Sequence, residues 1–247
     1  MGRMTEKIVF STGAASGIGL AAAKALVAEG AIVYATDITE DLPPNIEDVG
    51  TNGKVYFRHL DVRNETAVSE LLDSIVQTHG RLDAAFNNAG ILLASLEQEW
   101  DAKDFQRCMD INVTGVMLCL KHELRVMTPQ TSGSIVNTAS IAGIVGISGA
   151  VAYSASKHAV VGMTKATALS SATVGIRVNS VCPGPTDTPM TEVSRKRRGS
   201  GKAIGGVPLG RSADPAEMAE AVLWLLSDSS SYVTGQALVV DGGYTAG

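Results

Sequence analysis

The sequence predicts an α/β fold, a doubly wound parallel sheet of about seven strands with helices on both faces, in a single domain over residues 1–247. Short runs rich in Val, Ile and Ala, typical of strands covered on both faces, alternate with longer helical stretches. A turn with three glycines joins the first apolar run to an alanine-rich helix. The chain length of 247 residues is compatible with one domain of this class.

The apolar runs are the candidate strands, in chain order Lys7–Ser11, Ala31–Asp37, Val55–Val62, Leu82–Asn87, Gly133–Ala139, Arg177–Val181 and Ala237–Val240. The stretches between them are the candidate helices: Gly17–Glu29, Glu65–Thr78, Phe105–Met127, Tyr153–Thr173 and Pro215–Leu226. We expect the long third helix to be broken. Asp214 and Pro215 form a favourable cap and first-turn pair for the last helix.

The glycine-rich turn has the spacing Thr12-Gly13-x-x-x-Gly17-x-Gly19. Gly13 permits the tight turn, Gly17 lets a phosphate approach the backbone, and Gly19 lets the helix pack closely against the strand. The free N–H groups at the helix start suit a pyrophosphate. An ordinary glycine-rich connection is the alternative, but Asp37 ends the second strand at the distance expected for a ribose-binding carboxylate.

Tyr153 and Lys157 are four residues apart, so a helix places the phenol and the ammonium on one face. A nearby cation favours the phenolate and lowers the pKa of a tyrosine, which makes it a usable acid or base. Such a pair is also common by chance on exposed helices. Upstream, Ser140 ends an apolar run.

Polar residues and glycines follow several of the predicted strands. The positions concerned are Asp37, Asp61, Asn87 to Gly90, Ser140 and Pro183-Gly184. In an open parallel sheet, ligands bind beyond the carboxyl ends of the strands, so these residues are expected at one site. Taken singly, several of them have an ordinary explanation as turn or loop residues, namely Asp61, Asn87, Asn88 and Pro183-Gly184. The ordinary alternative for Asp37 is a plain surface acid.

These motifs, in this order and spacing, resemble the short-chain dehydrogenase/reductase family of the compact, single-domain type with a Rossmann-like fold. The resemblance covers nearly the whole chain and rests on the glycine turn, Asp61, Asn87-Asn88-Ala89-Gly90, Asn112, Ser140, Tyr153-x-x-x-Lys157 and Pro183-Gly184. Ser11 departs mildly from the pattern, because the family usually has an apolar residue there.

The resemblance implies a cofactor site made of Gly13, Ser16, Gly17, Ile18, Gly19, Asp37, Asp61, Val62, Asn88, Ala89, Gly90, Tyr153, Lys157, Pro183, Gly184, Thr186 and Thr188. Asp37 is expected to bind the adenosine ribose, and Asp61 with Val62 to flank adenine. Asn88 could equally be structural.

The resemblance also implies the catalytic roles. Tyr153 is expected to be the acid/base, Ser140 to orient the substrate oxygen, and Lys157 to lower the pKa of Tyr153 and hold the nicotinamide ribose. Asn112 is expected to keep a water molecule next to Lys157. Its alternative is a helix-interrupting asparagine that satisfies backbone groups.

The expected activity is the NAD(H)-dependent interconversion of a secondary alcohol and a ketone. Asp37 should repel a 2′-phosphate, which makes NADP the less favoured cofactor. The alternatives are a non-catalytic dinucleotide-sensing protein, a 3-oxoacyl thioester reductase, and an extended-branch epimerase or dehydratase. A hydrophobic or alicyclic substrate is indicated by the apolar residues near the expected substrate-covering region 186–210, namely Ile91, Leu92, Leu93, Ile141, Ile144, Val145, Ile147 and Met190.

Composition narrows the remaining classes. The net charge of −5 argues against nucleic acid as the main partner. Three widely spaced cysteines indicate neither a disulfide framework nor a metal site, so we expect a cytoplasmic protein. No run reaches the roughly 18 apolar residues of a membrane span, so no membrane partner is expected.

Two further features concern partners. The helices around Val113–Met127 and Tyr153–Thr173 are apolar or small on more than one face, which favours burial against another subunit. The resemblance implies a homotetramer, with the last helix and strand in a second interface. The basic run Arg195–Arg198 is either a solvated loop or a dock for an anionic group such as a coenzyme A tail.

Overall fold

The computed structural model describes residues 2–41, 43, 46, 53–93, 101–192 and 206–247. Within these ranges the strands are β1 (Ile8–Thr12), β2 (Ile32–Asp37), β3 (Lys54–His59), β4 (Ala84–Asn87), β5 (Gly133–Thr138), β6 (Ile176–Pro183) and β7 (Ala237–Val240). They form one seven-stranded sheet in the order β3-β2-β1-β4-β5-β6-β7, and every neighbouring pair is parallel. The predicted fold class is confirmed.

Helices cover both faces of the sheet. Their bounds are α1 (Gly17–Ala28), α2 (Glu65–His79), α3 (Ala102–Met109), α4 (Gly115–Met127), α5 (Val151–Ser171) and α6 (Pro215–Leu226). Successive residues of β1 point to opposite sides: Ile8 and Phe10 join the core under α2, α4 and α5, whereas Val9 joins the core under α1 and α6. Because both faces of the sheet are covered, the strand residues that point to either face are apolar. A sheet with one face in water would have apolar residues only at every second strand position.

The long third helix is interrupted, as expected. A five-residue π-helical segment, Asp110–Thr114, separates α3 from α4 and contains the buried Asn112. The extra residue in such a segment directs a side chain away from the regular helical register, and π segments are frequent at functional sites.

Most strand boundaries differ from the prediction by one or two residues, and the largest difference is at the end of β3. The strand expected to end at Val62 ends at His59, because the chain turns at Asp61. The backbone carbonyl of Asp61 accepts a hydrogen bond from the N–H of Asn64, and its side chain accepts one from the N–H of Arg63. Local side-chain bonds of this kind compete with strand pairing.

The sheet order reverses between β1 and β4, which are adjacent in the sheet but distant in sequence. Connections leave the sheet on opposite sides at such a point and open a crevice beyond the carboxyl ends of the strands. The basic run Arg195–Arg198 and residues 193–205 of the expected covering region lie outside the described residues. Among the described residues, the helices are too short or too polar to cross a bilayer.

Candidate active site

A cavity of about 920 Å³ lies at the crevice and collects nearly all the predicted site residues. Those in its wall are Gly13, Ser16, Gly17, Ile18, Asp37, Asp61, Val62, Asn88, Ala89, Gly90, Ser140, Tyr153, Lys157, Pro183, Gly184, Thr186 and Thr188. Gly19 and Asn112 do not line the cavity. The sequence residues that were scattered over the chain therefore meet at one edge of the sheet.

The glycine turn has the shape of a phosphate cradle. Gly13 and Gly17 have φ values of 63° and 54°, which favour glycine. A Cβ on Gly13 would lie 2.8 Å from the Cα of Ala89, and one on Gly19 would collide with the carbonyl oxygen of Gly13. Ser16 precedes α1 without capping it through its side chain, so the first N–H groups of the helix remain suitable donors to an anion.

Asp37 joins the end of β2 to the glycine turn. Its Oδ2 accepts a hydrogen bond from the N–H of Ala15 at 3.0 Å, and its Oδ1 accepts one from the N–H of Thr39 at 3.3 Å. Ile38, the next residue, is exposed and carries no charge. The carboxylate of Asp37 therefore lies beside the glycine turn. The residue that follows it in sequence offers no positive charge that could bind a phosphate group in addition to the pyrophosphate.

Asn88 ties three strands together. Its Nδ2 donates to the carbonyl of Gly13 at 2.9 Å, and its Oδ1 accepts from the hydroxyl of Thr138 at 3.1 Å. The hydroxyl of Thr12 accepts from the N–H groups of both Asn88 and Ala89. The side chain of Asn88 thus fixes the cavity wall, and its contact with a cofactor stays a prediction.

Tyr153 and Lys157 lie in the first turns of α5, and their side chains meet in the cavity. The Nζ of Lys157 lies 5.6 Å from the ring centroid of Tyr153 and donates to the carbonyl of Thr138 at 2.7 Å. Ser140 follows β5, and its hydroxyl accepts from the N–H of Ala142 at 3.1 Å.

Burial controls the charge of this pair in the free protein. It raises the pKa of Tyr153 to about 12, although a hydrogen bond with Ser140 acts in the opposite direction. It lowers the pKa of Lys157 to about 8. Desolvation disfavours the charged form of each group in the free protein. The lowering of the Tyr153 pKa by Lys157, together with a cationic nicotinamide ring, stays a prediction for the cofactor complex.

Asn112 is buried in the π-helical segment and bonds to the loop that follows β4. Its Oδ1 accepts from the N–H of Ile91 at 2.8 Å, while its Nδ2 donates to the carbonyl of Ile91 at 2.9 Å and to the hydroxyl of Ser156 at 3.0 Å. A Cβ on Gly90 would lie 3.1 Å from Asn112 Oδ1 and 3.5 Å from Lys157 Nζ. Asn112 thus braces the strand-end loop beside Lys157, and its role in a proton relay stays a prediction.

The remaining wall of the cavity is largely apolar. Of the apolar residues expected near the substrate, Ile91, Leu92, Ile141, Ile147 and Met190 line it, whereas Leu93, Ile144 and Val145 do not. Sequence reasoning missed Arg63, Arg107 and Tyr244, which also line it. Arg63 could have been found from its position two residues after Asp61. Tyr244 could not, because it reaches the wall only through the fold of the C-terminal turn.

The family model described as Enoyl-(Acyl carrier protein) reductase matches residues 13–245. The cyclopentanol dehydrogenase of Comamonas sp. (strain NCIMB 9872) is 45% identical over 249 residues, with 100% of both chains covered. The chain belongs to the short-chain dehydrogenase/reductase family. Members of this family use nicotinamide dinucleotide cofactors.

Two other similar proteins have names that indicate different substrates. The 3-oxoacyl-[acyl-carrier-protein] reductase FabG of Thermotoga maritima is 42% identical over 249 residues, with 98% of each chain covered. The crystal structure of levodione reductase superposes with a TM-score of 0.93 at 35% identity, covering 98% of this chain and 99% of that one. The fold is therefore that of the compact members of the family.

Proposed function

We propose that the protein is an NAD(H)-dependent dehydrogenase that interconverts an alicyclic secondary alcohol and the corresponding ketone. The observation that carries this proposal is the meeting of Ser140, Tyr153 and Lys157 in one apolar-walled cavity beside a phosphate cradle. The similarity to a cyclopentanol dehydrogenase supports the alicyclic substrate.

The protein residues supply the proton and the orientation. Tyr153 is protonated in the free protein, and in this phenol form it donates a proton to the carbonyl oxygen during reduction. During oxidation its phenolate form accepts the proton of the substrate hydroxyl. Ser140 orients the same oxygen by hydrogen bonding. Lys157 would hold the ribose of a nicotinamide dinucleotide, and that cofactor, when bound, would supply or accept the hydride.

Asp37 supports NAD(H) over NADP(H). Its carboxylate lies at the end of β2 against the N–H of Ala15, where ribose hydroxyls can donate to it. A phosphate on the 2′-hydroxyl would meet this negative charge, and neither Ala15, Ser16 nor Ile38 offers a compensating cation.

The cavity wall supports a compact, weakly polar substrate. Ile91, Ile141, Ile147 and Met190 present branched or flexible apolar side chains. An alicyclic ring gains free energy by burial against such a wall, at roughly 25 cal/mol per Å² of apolar surface. A free sugar would bury hydroxyl groups without partners there.

A 3-oxoacyl thioester reductase is the second candidate. It is favoured by the similarity to the FabG reductase of Thermotoga maritima and by the basic run Arg195–Arg198, whose charges suit an anionic carrier. Neutralising that run should raise KM for acyl thioesters but not for cyclic alcohols. If KM changes for neither substrate class, the run has no docking role.

The test is a substrate panel with NAD and NADH, followed by the absorbance of the reduced nicotinamide. The panel contains cyclic alcohols and ketones, 3-oxoacyl thioesters, steroids and polyols. Turnover excludes a non-catalytic sensor, and net redox change argues against an epimerase. Failure to turn over any cyclic alcohol or ketone would contradict the proposal.

Two variants test the assigned roles. Tyr153→Phe keeps the ring and removes the acidic proton, so kcat should fall by about 10²–10⁴-fold while NADH binding stays nearly unchanged. Lys157→Met should weaken both turnover and NADH binding, because Lys157 is assigned to both. Near-normal turnover by Tyr153→Phe would remove the central assignment.

We also propose a homotetramer. Several large apolar side chains are exposed on the single chain: Met117, Val151, Leu169, Trp224 and Tyr232. Leu169 is 82% exposed and lies on α5, the helix that was expected to contact another subunit. Light scattering at micromolar concentration should give four times the monomer mass, and a monomer would contradict the proposal.

A further inference from the structure

Arg63 occupies the carboxylate of Asp61 in the part of the cavity wall where the family resemblance implies adenine. Its Nε donates to Oδ1 at 3.0 Å and to Oδ2 at 3.1 Å, and its Nη2 donates to Oδ2 at 2.6 Å. The backbone N–H of Arg63 adds a fourth hydrogen bond, to Oδ1 at 3.0 Å. Both side chains line the cavity.

These four hydrogen bonds occupy the acceptor positions of the Asp61 carboxylate. An ionised carboxylate offers about four lone-pair positions, and Arg63 fills them with three side-chain bonds and one backbone bond. The Arg63 interaction also lowers the pKa of Asp61, so the group stays charged. A donor on an incoming base therefore has to displace part of the guanidinium before it reaches Asp61.

Displacement is feasible because the pair is accessible to solvent. The side chain of Arg63 is 45% exposed and that of Asp61 is 28% exposed. Exposed ion pairs of this kind contribute little to stability, so the guanidinium can turn into solvent or towards another acceptor at small cost.

We propose that Arg63 broadens the base specificity of the cofactor site, because it occupies the carboxylate of Asp61 until a base displaces it. The proposal rests on the proposed function, because it needs the adenosine half of a dinucleotide to lie beside Asp61. With Arg63 present, the site offers a guanidinium donor as well as a carboxylate acceptor. It therefore accepts a base with either an amino group or a carbonyl group at position 6.

Without Arg63, only the acceptor remains. The amino group of adenine then meets a free carboxylate, whereas the carbonyl of hypoxanthine meets a bare negative charge. The Arg63→Leu variant should consequently prefer adenine more strongly than the wild-type protein does.

The test measures equilibrium binding of NADH and of its hypoxanthine analogue by calorimetry. The ratio of the two Kd values, hypoxanthine over adenine, should rise about 2–5-fold in Arg63→Leu, the range that corresponds to displacing an exposed ion pair. Arg63→Lys keeps the charge but not the forked geometry, and should give an intermediate ratio. It also tests the proposal if the leucine variant does not fold.

Arg81→Leu is the matched control. Arg81 pairs with Asp83 at the same two-residue spacing, but neither side chain lines the cavity. Its ratio should equal that of the wild type. An unchanged or lower ratio in Arg63→Leu, with normal NADH binding by the wild type, overturns the role of Arg63 alone. If the wild type binds neither dinucleotide, the proposed function fails as well.

Discussion

The buried carboxyl of Glu123 should make the stability of this protein depend on pH. Glu123 lies on α4 with 0% exposure, and burial raises its pKa to about 8, against a hydrogen bond from Asn87 that acts in the opposite direction. The Nδ2 of Asn87 donates to Glu123 Oε2 at 3.0 Å, while Oε1 has no hydrogen-bond partner among the described residues. The folded protein therefore holds a proton that the unfolded chain releases at an ordinary glutamate pKa of 4.5.

The direction follows from proton binding. Because the folded pKa is raised, the contribution to stability is fully present below about pH 4.5, declines as the pH rises and is lost above about pH 8. The difference between the two pKa values corresponds to about 5 kcal/mol, at 1.36 kcal/mol per pKa unit. This is a substantial part of the 5–15 kcal/mol by which domains are typically stable.

Glu123→Gln removes the titrating group and keeps the shape and the acceptor for Asn87. Relative to the wild type, it should gain about 1 kcal/mol near pH 5 and up to about 5 kcal/mol near pH 8.5 in the free energy of unfolding. The measurement is urea denaturation at fixed protein concentration across this range. The exposed Glu70→Gln on α2 is the control, with little change expected. A gain that does not increase with pH would refute the assignment of the titration to Glu123.

Three further outcomes are expected. Asp37→Ala should narrow the ratio of kcat/KM for NADH over NADPH, and a wild-type preference for NADPH would contradict the assignment. Gly90→Ala should lower kcat, because its methyl group would lie 3.1 Å from Asn112 Oδ1 and 3.5 Å from Lys157 Nζ, whereas Gly146→Ala meets nothing within 4 Å and should be neutral. The rate of alcohol oxidation should rise with pH, because the phenolate of Tyr153 is the base and the free group has a pKa of about 12; a profile that falls between pH 7 and 10 would exclude it.

The type and order of the helices and strands could be predicted from the sequence, because they depend on residues that are close together in the chain. Apolar runs and helical stretches alternate, and glycines mark the turn before α1, so local pattern predicts the parallel sheet. The placement of Asp37, Ser140 and Pro183-Gly184 at strand ends then predicts a shared edge, since parallel strands present their carboxyl ends together. The structure brings them to one cavity wall.

Element boundaries and charge states depended on contacts that sequence does not display. The strand predicted to reach Val62 stops at His59, because the side chain of Asp61 bonds to its own neighbours. The phenol of Tyr153 has a raised pKa because burial outweighs its neighbours. Burial is a property of packing over the whole chain, so a helical pair spaced by four residues cannot reveal it.

Glu123 shows most clearly the difference between what the sequence predicts and what only the folded structure reveals. In sequence it lies among Lys121, His122 and Arg125, as on an ordinary solvated helix face. In the structure it is buried, and Asn87 links it to Asn137 of the next strand by a second bond of 3.0 Å. The sequence by itself determined the fold class, the glycine cradle and the Tyr-Lys pair through local pattern. The tertiary structure alone decided which polar groups lose water, and the loss of water sets their pKa values.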